Sequence, residues 1–458
     1  MKTGVILAAG LGKRMNSKGH KVVHKVCGKP MIAQIVQEMR AVGLDRLFVV
    51  VGRLEEQVRA VLGDSVEYVR QAEQLGTGHA VLQALPSLPQ DGITVVVYGD
   101  APLIRREEIQ RLIETAQQTG ATTLMTAEVD DPQSFGRVVR ATDGTIERIV
   151  EEKDATAEQR RIHEVNSGIY AFQTRHLHSV VPKLTPENAQ RELLLTDCVL
   201  HLRDAGETVV PVVVRDADDI ANVNDRIQLA VCEQKLRRRI LLRHMQNGVT
   251  FIDPAATYVE PDVEIGRDTV VWPGSYLQGA TVIGEDCVIG PDAQLMNARV
   301  GDGVEVIRSV VTDSRVGTGS FVGPFAYVRP GSDIGERVKV GDFVEIKNST
   351  IGNHTKVSHL AYIGDSDVGT DVNVACGVVT ANYDGFRKHR TIIGDDSFIG
   401  CNVNLVAPVE IGDGSYIATG STITESVSAG SFAIARERQT TKAGYAVVLR
   451  ERLEDGKK

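Results

Sequence analysis

Residues 259–295 read VEPDVEIGRDTVVWPGSYLQGATVIGEDCVIGPDAQL, and in them Val259, Ile265, Val271, Leu277, Ile283, Ile289 and Leu295 recur at a step of six. The step returns in Val316, Val322, Val328, Ile334, Val340 and Ile346, and again in Ile393, Ile399, Leu405, Ile411, Ile417 and Ile423. A helix repeats every 3.6 residues and a strand every 2, so neither produces a strict six. The pattern belongs to a parallel β-helix of hexapeptide rungs, each supplying one short strand and one tight corner. Its aliphatic residues point into the prism. Gly266, Gly284, Gly290, Gly400 and Gly412 each follow such a residue and are expected to relieve corners where the backbone turns sharply.

The ladder spans about residues 250 to 435 and loses phase near Val300–Asp313, at Ile351 and across Asn382–Arg390. The last break, Thr380-Ala381-Asn382-Tyr383-Asp384-Gly385-Phe386-Arg387-Lys388-His389, must leave the prism as a loop, and solenoids gather such insertions on a binding face. Just before it stands Ser358-His359-Leu360-Ala361-Tyr362. Histidine is the natural base for taking a proton from an amine as it attacks a thioester. A lone His in a repeat also reads as a structural residue. The tail, Gln439 to Lys458, is charged and is expected to cross to a neighbouring chain.

Upstream of the ladder, Asp225 to Asn247 carries aliphatic residues at helical spacing, with Gly248 placed as a C-cap. Arg237-Arg238-Arg239 on it reads as a solvated helix face rather than a nucleic-acid contact. The chain therefore divides into residues 1–227, a linker helix 228–248, and 249–458.

At 458 residues the chain is too long for one core. Its 42% hydrophobic and 24% charged content fits a soluble protein, and 5% aromatics suit a solenoid filled with Val and Ile. A net charge of −9 argues against nucleic acid. The six cysteines show no metal-ligand spacing and read as reduced cytosolic thiols. The opening residues MKTGVILAAG lack a signal peptide's apolar run, and no later segment is long enough to span a bilayer. A cytoplasmic protein without membrane contact is expected.

In the first part, Thr3 to Ala8 is a buried parallel strand that breaks into Ala9-Gly10-Leu11-Gly12-Lys13-Arg14-Met15. Two glycines after a strand let successive N–H groups converge on an anion, though such turns are also common without a ligand. Helices are expected at Met31–Val42 and Glu55–Val61, and a strand at Arg46–Val51. Ile93 to Val97 is an apolar strand running into Tyr98-Gly99-Asp100-Ala101-Pro102. Asp100 reads either as a turn residue or as a Mg²⁺ ligand, because an acidic residue at such a strand end lies where open α/β sheets bind ligands.

LAAGLGKRM, the Lys21 of HKVVH, GKPM, QAEQLGTGHA and YGDAPL resemble the sugar-1-phosphate nucleotidylyltransferases. Together with the ladder they resemble the bacterial bifunctional family that joins an N-acetylglucosamine-1-phosphate uridylyltransferase to a glucosamine-1-phosphate N-acetyltransferase. Phe135-Gly136-Arg137, Ile149-Val150-Glu151-Glu152-Lys153, Val165-Asn166-Ser167-Gly168 and Ala221-Asn222-Val223-Asn224-Asp225-Arg226 fall in the same order, as do SHLAYIGD and DVNVACGVVTANYDG. The resemblance implies an α/β Rossmann-like domain, a connecting helix and a left-handed parallel β-helix. It implies UTP and acetyl-CoA as co-substrates, Mg²⁺ as cofactor, a homotrimer formed through the β-helix, and a product used in peptidoglycan and lipopolysaccharide synthesis.

By position, the resemblance puts the nucleotide on Leu7, Ala8, Ala9, Gly10, Gln71, Gly76, Thr77, Tyr98 and Gly99. Gly136, Glu151 and Asn166 would hold the sugar, Asp100 and Asn224 the Mg²⁺, and Arg14 and Lys21 the phosphates. His359 would be the general base of acetyl transfer. Arg329, Lys347, Tyr362, Asn373 and Asn382 would hold glucosamine 1-phosphate, with Tyr383, Cys401, Thr419 and Arg436 along the acetyl-CoA site. Three departures stand out. His20 stands where the family usually has Pro, Arg191-Glu192-Leu193-Leu194 replaces Gly-Glu-Tyr-Tyr, and Cys401 replaces Ser. Cys401 either packs in the prism or faces the CoA channel. Two other readings remain open at this point: a nucleotidylyltransferase whose ladder only assembles or regulates it, and the same chemistry on another sugar or acyl donor.

Overall fold

In the computed structural model, which describes residues 1–10 and 12–455, the chain divides into Met1–Ile240 and Leu241–Lys458. Leu11 of the glycine-rich turn and residues 456–458 of the charged tail lie outside the described residues.

The first unit is organised by a nine-stranded sheet. Its strands are β1 (Lys2–Ala8), β2 (Arg46–Val51), β3 (Glu67–Arg70), β4 (Ile93–Tyr98), β5 (Thr122–Glu128), β6 (Arg137–Arg140), β7 (Ile146–Val150), β8 (Glu164–Gln173) and β9 (Val209–Val213). The order is β9-β5-β8-β4-β1-β2-β3, with β6 pairing β8 and β7. Only β8 on that path runs antiparallel to its neighbours; β1 pairs in parallel with β2 and β4.

Alternation along β1 sends Ile6 and Ala8 to one core and Val5 and Leu7 to the other. Because both faces are covered, β1 and β4 read as continuous apolar runs rather than alternating ones. The first core takes Ile32, Ile35 and Met39 of helix α1 (Met31–Ala41). The second takes Ala80 and Val81 of helix α2 (Thr77–Ala84). Chain order departs in opposite directions from β1, toward β2 on one side and β4 on the other. Their C-terminal ends therefore open the crevice that doubly wound sheets use for ligands. Helix α3 spans Arg226–Gln246, and Gly248 follows it at φ 93, the positive-φ role expected of a C-cap glycine.

The second unit is a left-handed parallel β-helix whose three sheets hold 11, 10 and 9 short parallel strands. Ile265 stacks on Ile283, Val271 on Ile289 and Leu277 on Leu295. Every aliphatic residue named at the six-residue step is buried. The phase losses are real changes of coil. Leu295 stacks on Val311 and Val300 on Val316, in shortened coils. Ile334 stacks on Ile351. Val368 stacks on Ile393, across the loop that leaves the prism.

The role expected of the rung glycines needs correction. Of the five named, only Gly290 has a positive φ, 97°. At Gly266 an added Cβ would meet the Gly284 carbonyl carbon at 2.5 Å, and at Gly412 the Ala429 nitrogen at 2.4 Å. These glycines are required by the close approach of the next coil. Left-handed positions in the ladder fall on other residues: glycines such as Gly274 (φ 75), Gly279 (φ 64) and Gly303 (φ 63), and Asp268 (φ 60), Asp286 (φ 56) and Asn297 (φ 51), residue types that tolerate that region.

Candidate active sites

At the C-terminal ends of β1 and β4 the chain forms a cavity of about 390 Å³. Leu7, Ala8, Ala9 and Gly10 form one side, Gln71, Gly76 and Thr77 another, and Tyr98, Asp100, Lys21 and Asn224 the floor and far end. Gln71 is buried, its amide bonded to Gly76 O at 3.2 Å and facing His79 Nδ1 at 3.0 Å. Gly76 is obligatory: at φ 113 an added Cβ would lie 2.4 Å from Leu193 O. Gly99 instead packs behind the wall, its N–H bonded to Leu7 O at 2.9 Å.

The far end of the cavity is a charge cluster. Lys21 Nζ contacts Asp100 Oδ2 and lies 3.2 Å from Asn224 Oδ1. Asp100 lies in the turn that follows β4, with its carboxylate on the cavity wall. An ammonium seated between a carboxylate and an amide oxygen shows that the donor set suits a hard cation, and one carboxylate leaves room for phosphate oxygens and water, as Mg²⁺ prefers. Arg14 stands exposed on the short 3₁₀ turn Lys13–Met15 and is not on the cavity wall.

Gly136, Glu151 and Asn166 form a second cluster. A Cβ on Gly136 would sit 3.6 Å from Asn166 Cβ and 3.7 Å from Glu151 Oε1. Burial pushes the Glu151 carboxyl up, against a hydrogen bond from Thr196. Tyr98 joins this cluster to the cavity: its phenol is pushed up by burial and then by Glu151 and Asp100. It also packs so closely on Gly168 that an added Cβ there would lie 1.8 Å from its ring.

Two of the family departures can be placed here. His20 has φ −62, which a proline would share, but its N–H donates to Gln57 Oε1 at 2.7 Å and its Nδ1 accepts from Val22 N. Arg191, standing for Gly, has φ 55, the region that favours glycine. The segment it begins packs on the turn at Gly76: Gly78 N bonds Leu193 O, and Leu193 N bonds Leu75 O, both at 2.8 Å. Glu192 joins the cavity wall, as do Val22, Gln74, Ala80 and Asn222. All five lie within stretches quoted above for the resemblance or as departures from it, but none was assigned a role there.

The second site lies on the β-helix. His359 ends the strand Lys356–His359, and its register partner one coil back is Asp342. His359 Nδ1 is 2.6 Å from Asp342 Oδ1, and this hydrogen bond holds the Asp342 carboxyl below its usual range. Asn373 lies on the next strand of the same sheet.

On the neighbouring sheet, Glu345 stacks on Tyr362 and Lys347 on Gly364. Arg329 Nη1 bonds Glu345 Oε1 at 2.6 Å. Lys347 Nζ lies 3.8 Å from Asp365 Oδ2, and Asn382 donates to that same oxygen and to Tyr362 Oη. Burial works against the Asp365 carboxylate, yet Asn348, Lys347 and Asn382 hold it below its usual range. Lys388, on the inserted loop, has its pKa lowered first by hydrogen bonding and then by charge from Lys347. Lys347 and Lys388 thus add positive charge to this part of the prism, where an anion would be favoured.

The loop carrying Lys388 is tied by Asp384, which accepts from Phe386 N, Arg387 N and His389 Nε2. Those bonds bring its pKa to about 2, the Arg387 backbone contributing most. Tyr383 sits exposed beside them. Cys401, Thr419 and Arg436 are all exposed and follow one another along a corner of the prism: Gly420 N bonds Cys401 O at 2.8 Å, and a Cβ on Gly420 would lie 3.6 Å from Arg436 Cδ. Exposure of Cys401 removes the reading in which it packs inside.

Residues 4–194 match the family described as MobA-like NTP transferase domain, residues 254–359 the GMPPB C-terminal domain, and residues 390–425 the bacterial transferase hexapeptide. Relatives named "Bifunctional protein GlmU" are similar over nearly the whole length. The one from Acetivibrio thermocellus is 50% identical over 97% of this chain and 96% of its own. The one from Brevibacillus brevis is 50% identical over 96% of each chain. The one from Caldanaerobacter subterraneus subsp. tengcongensis is 50% identical over 99% of this chain and 98% of its own.

Proposed function

The chain belongs to the family of bifunctional GlmU proteins, and on that premise we infer that its two candidate sites carry successive steps of one synthesis. It is a bifunctional transferase: acetyl passes from acetyl-CoA to glucosamine 1-phosphate, and uridylyl passes from UTP to N-acetylglucosamine 1-phosphate with release of pyrophosphate. The observation that carries the assignment of sites is the His359–Asp342 pair. A ladder used only for assembly needs no oriented base. This disfavours the scaffold reading.

In acetyl transfer, the cations at Lys347, Lys388 and Arg329 hold the sugar phosphate, with Tyr362, Asn373 and Asn382 around the sugar. An ionised carboxylate accepts only, so Asp342 keeps a proton on His359 Nδ1 and leaves Nε2 free to take one from the substrate amine as the C–N bond forms. Tyr383, Cys401, Thr419 and Arg436 provide the edge along which acetyl-CoA lies.

In uridylyl transfer the nucleophile is already an anion, so no base is required. The task is to hold two polyanions together, which rests on positioning and electrostatics. Gln71, Gly76 and Thr77 hold the base beside the Ala8–Gly10 backbone, and Gly136, Glu151 and Asn166 hold the sugar. Lys21 supplies positive charge to the phosphates from the cavity wall; Arg14, off that wall, would have to move with the Lys13–Met15 turn to reach them. Asp100 and Asn224 would hold Mg²⁺, which when bound offsets phosphate charge and polarises the α-phosphate.

The hexapeptide match supports self-association, and a homotrimer through the β-helix is the assembly proposed. Phe343 and Leu360 follow the Asp342–His359 pair directly, 58% and 59% exposed, and Phe343 stacks on Phe325 with ring centroids 5.4 Å apart. Such an apolar ridge suits a partner copy. Among the described residues no helix is long and apolar enough to cross a membrane, and a cytoplasmic location is proposed.

A coupled assay with glucosamine 1-phosphate, acetyl-CoA and UTP, each omitted in turn and with EDTA added, tests the proposal. UDP-N-acetylglucosamine should require all three, and EDTA should stop uridylylation alone. Acetylation equally sensitive to EDTA would contradict the assignment.

A further inference from the structure

Asn222 lies on the wall of the nucleotide cavity with its side-chain oxygen buried and without a hydrogen-bond partner. Of the buried side-chain atoms in that condition among the described residues, it is the one on the cavity wall. A buried amide oxygen with no donor costs free energy that a donor would recover.

Its place follows from the chain. Val223 is fully buried, with its N–H bonded to Asp100 O at 2.9 Å. Asn222 and Asn224, on either side of it, both reach the cavity.

The chemistry narrows what can satisfy the oxygen. Phosphate oxygens are acceptors and cannot. The Lys21 ammonium is directed at Asp100 and Asn224. No protein donor reaches it, so its donor comes from the substrates or from water bound with them.

We propose that Asn222 is a specificity-determining residue of uridylyl transfer whose side-chain oxygen accepts a hydrogen bond from an O–H brought in with the substrates. That O–H is a hydroxyl of the ribose or sugar, or water carried by the metal. The inference rests on reading the cavity as the uridylyl-transfer site. A site built around a buried acceptor discriminates steeply against an analogue lacking the matching donor, because the acceptor is then left unpaired.

The test uses the full chain and Asn222→Leu, similar in size but without an acceptor. Uridylylation kinetics are measured with UTP, 2′-deoxyUTP and 3′-deoxyUTP, and with N-acetylglucosamine 1-phosphate lacking individual hydroxyls. Mn²⁺ affinity is measured by electron paramagnetic resonance in the presence of a non-hydrolysable UTP analogue. The variant should lose about 10-fold or more in kcat/KM with an unchanged melting temperature.

If the donor is a substrate hydroxyl, one deoxy analogue should be penalised by the native protein and not by the variant. If it is metal-bound water, Mn²⁺ affinity should fall instead. Asn222→Asp, which keeps an acceptor, should retain the discrimination and covers the case in which the leucine variant folds poorly. Native kcat/KM, analogue preference and Mn²⁺ affinity in a folded Asn222→Leu would overturn the proposal. Pyrophosphate release by the native protein reports separately on the underlying reading.

Discussion

His359 Nδ1 and Asp342 Oδ1 lie 2.6 Å apart on strands stacked in register. The carboxylate fixes the ring's tautomer and its direction together. Asp342→Asn keeps the shape but offers an N–H₂ as well as an oxygen, so the opposite tautomer becomes available. In a catalytic His–Asp pair, Asp→Asn costs up to about 10⁴-fold by favouring the wrong tautomer. The fall should appear in kcat for acetyl transfer, with KM for glucosamine 1-phosphate nearly unchanged and uridylylation intact. A fall in KM-dependent binding alone would show that Asp342 contacts substrate instead.

Cys401 is exposed at the corner it shares with Thr419 and Arg436, whereas Cys27, Cys198, Cys232 and Cys287 are buried. A thiol is a weaker hydrogen-bond donor than the serine hydroxyl usual in the family. Cys401→Ser should therefore keep or improve acetyl transfer and become much less sensitive to iodoacetamide, and acetyl-CoA should protect the native protein. Unchanged sensitivity in the variant would place the reactive thiol elsewhere.

His244, near the end of α3, is 4% exposed and packs edge-on against Phe251. Burial, then the charge of Arg243, lowers its pKa from 6.5 to about 4. Between those values the unfolded chain binds a proton that the folded one does not, so the stability is present above pH 6.5 and is lost as pH falls through 4. At about 1.4 kcal/mol per unit the loss amounts to roughly 3 kcal/mol. Thermal unfolding of the native chain and His244→Leu across pH 7 to 4 checks this. The native melting temperature should fall more steeply, and parallel curves would contradict it.

The β-helix was legible because one property, a buried aliphatic at every sixth position, survives in sequence wherever coils keep their length. What governs the corners was not. Gly266 and Gly412 are small because the next coil's backbone leaves no room for a Cβ, a contact between residues a full coil apart. Asp268 and Asp286, with glycines such as Gly274, take the left-handed positions instead. Asp342 was missed for a related reason: its partnership with His359 crosses a shortened coil, so counting by sixes does not align them. Lys388 lies in the loop, where no period exists, and only folding brings it to Lys347. In the first unit, β1 and β4 announced themselves as apolar runs ending in Gly10 and Asp100. The contact of Lys21 with Asp100 and Asn224 joins residues from distant parts of the chain; the resemblance implied separate roles for them, phosphate for Lys21 and Mg²⁺ for the other two, and not this contact.

The central claim is two independent active sites in one chain, and assaying both half-reactions in Asp100→Ala tests it most directly. Pyrophosphate release from UTP should be abolished while acetyl transfer to glucosamine 1-phosphate stays within a few-fold of native, with His359→Ala giving the reverse. Loss of both activities in a folded Asp100→Ala protein would contradict the account.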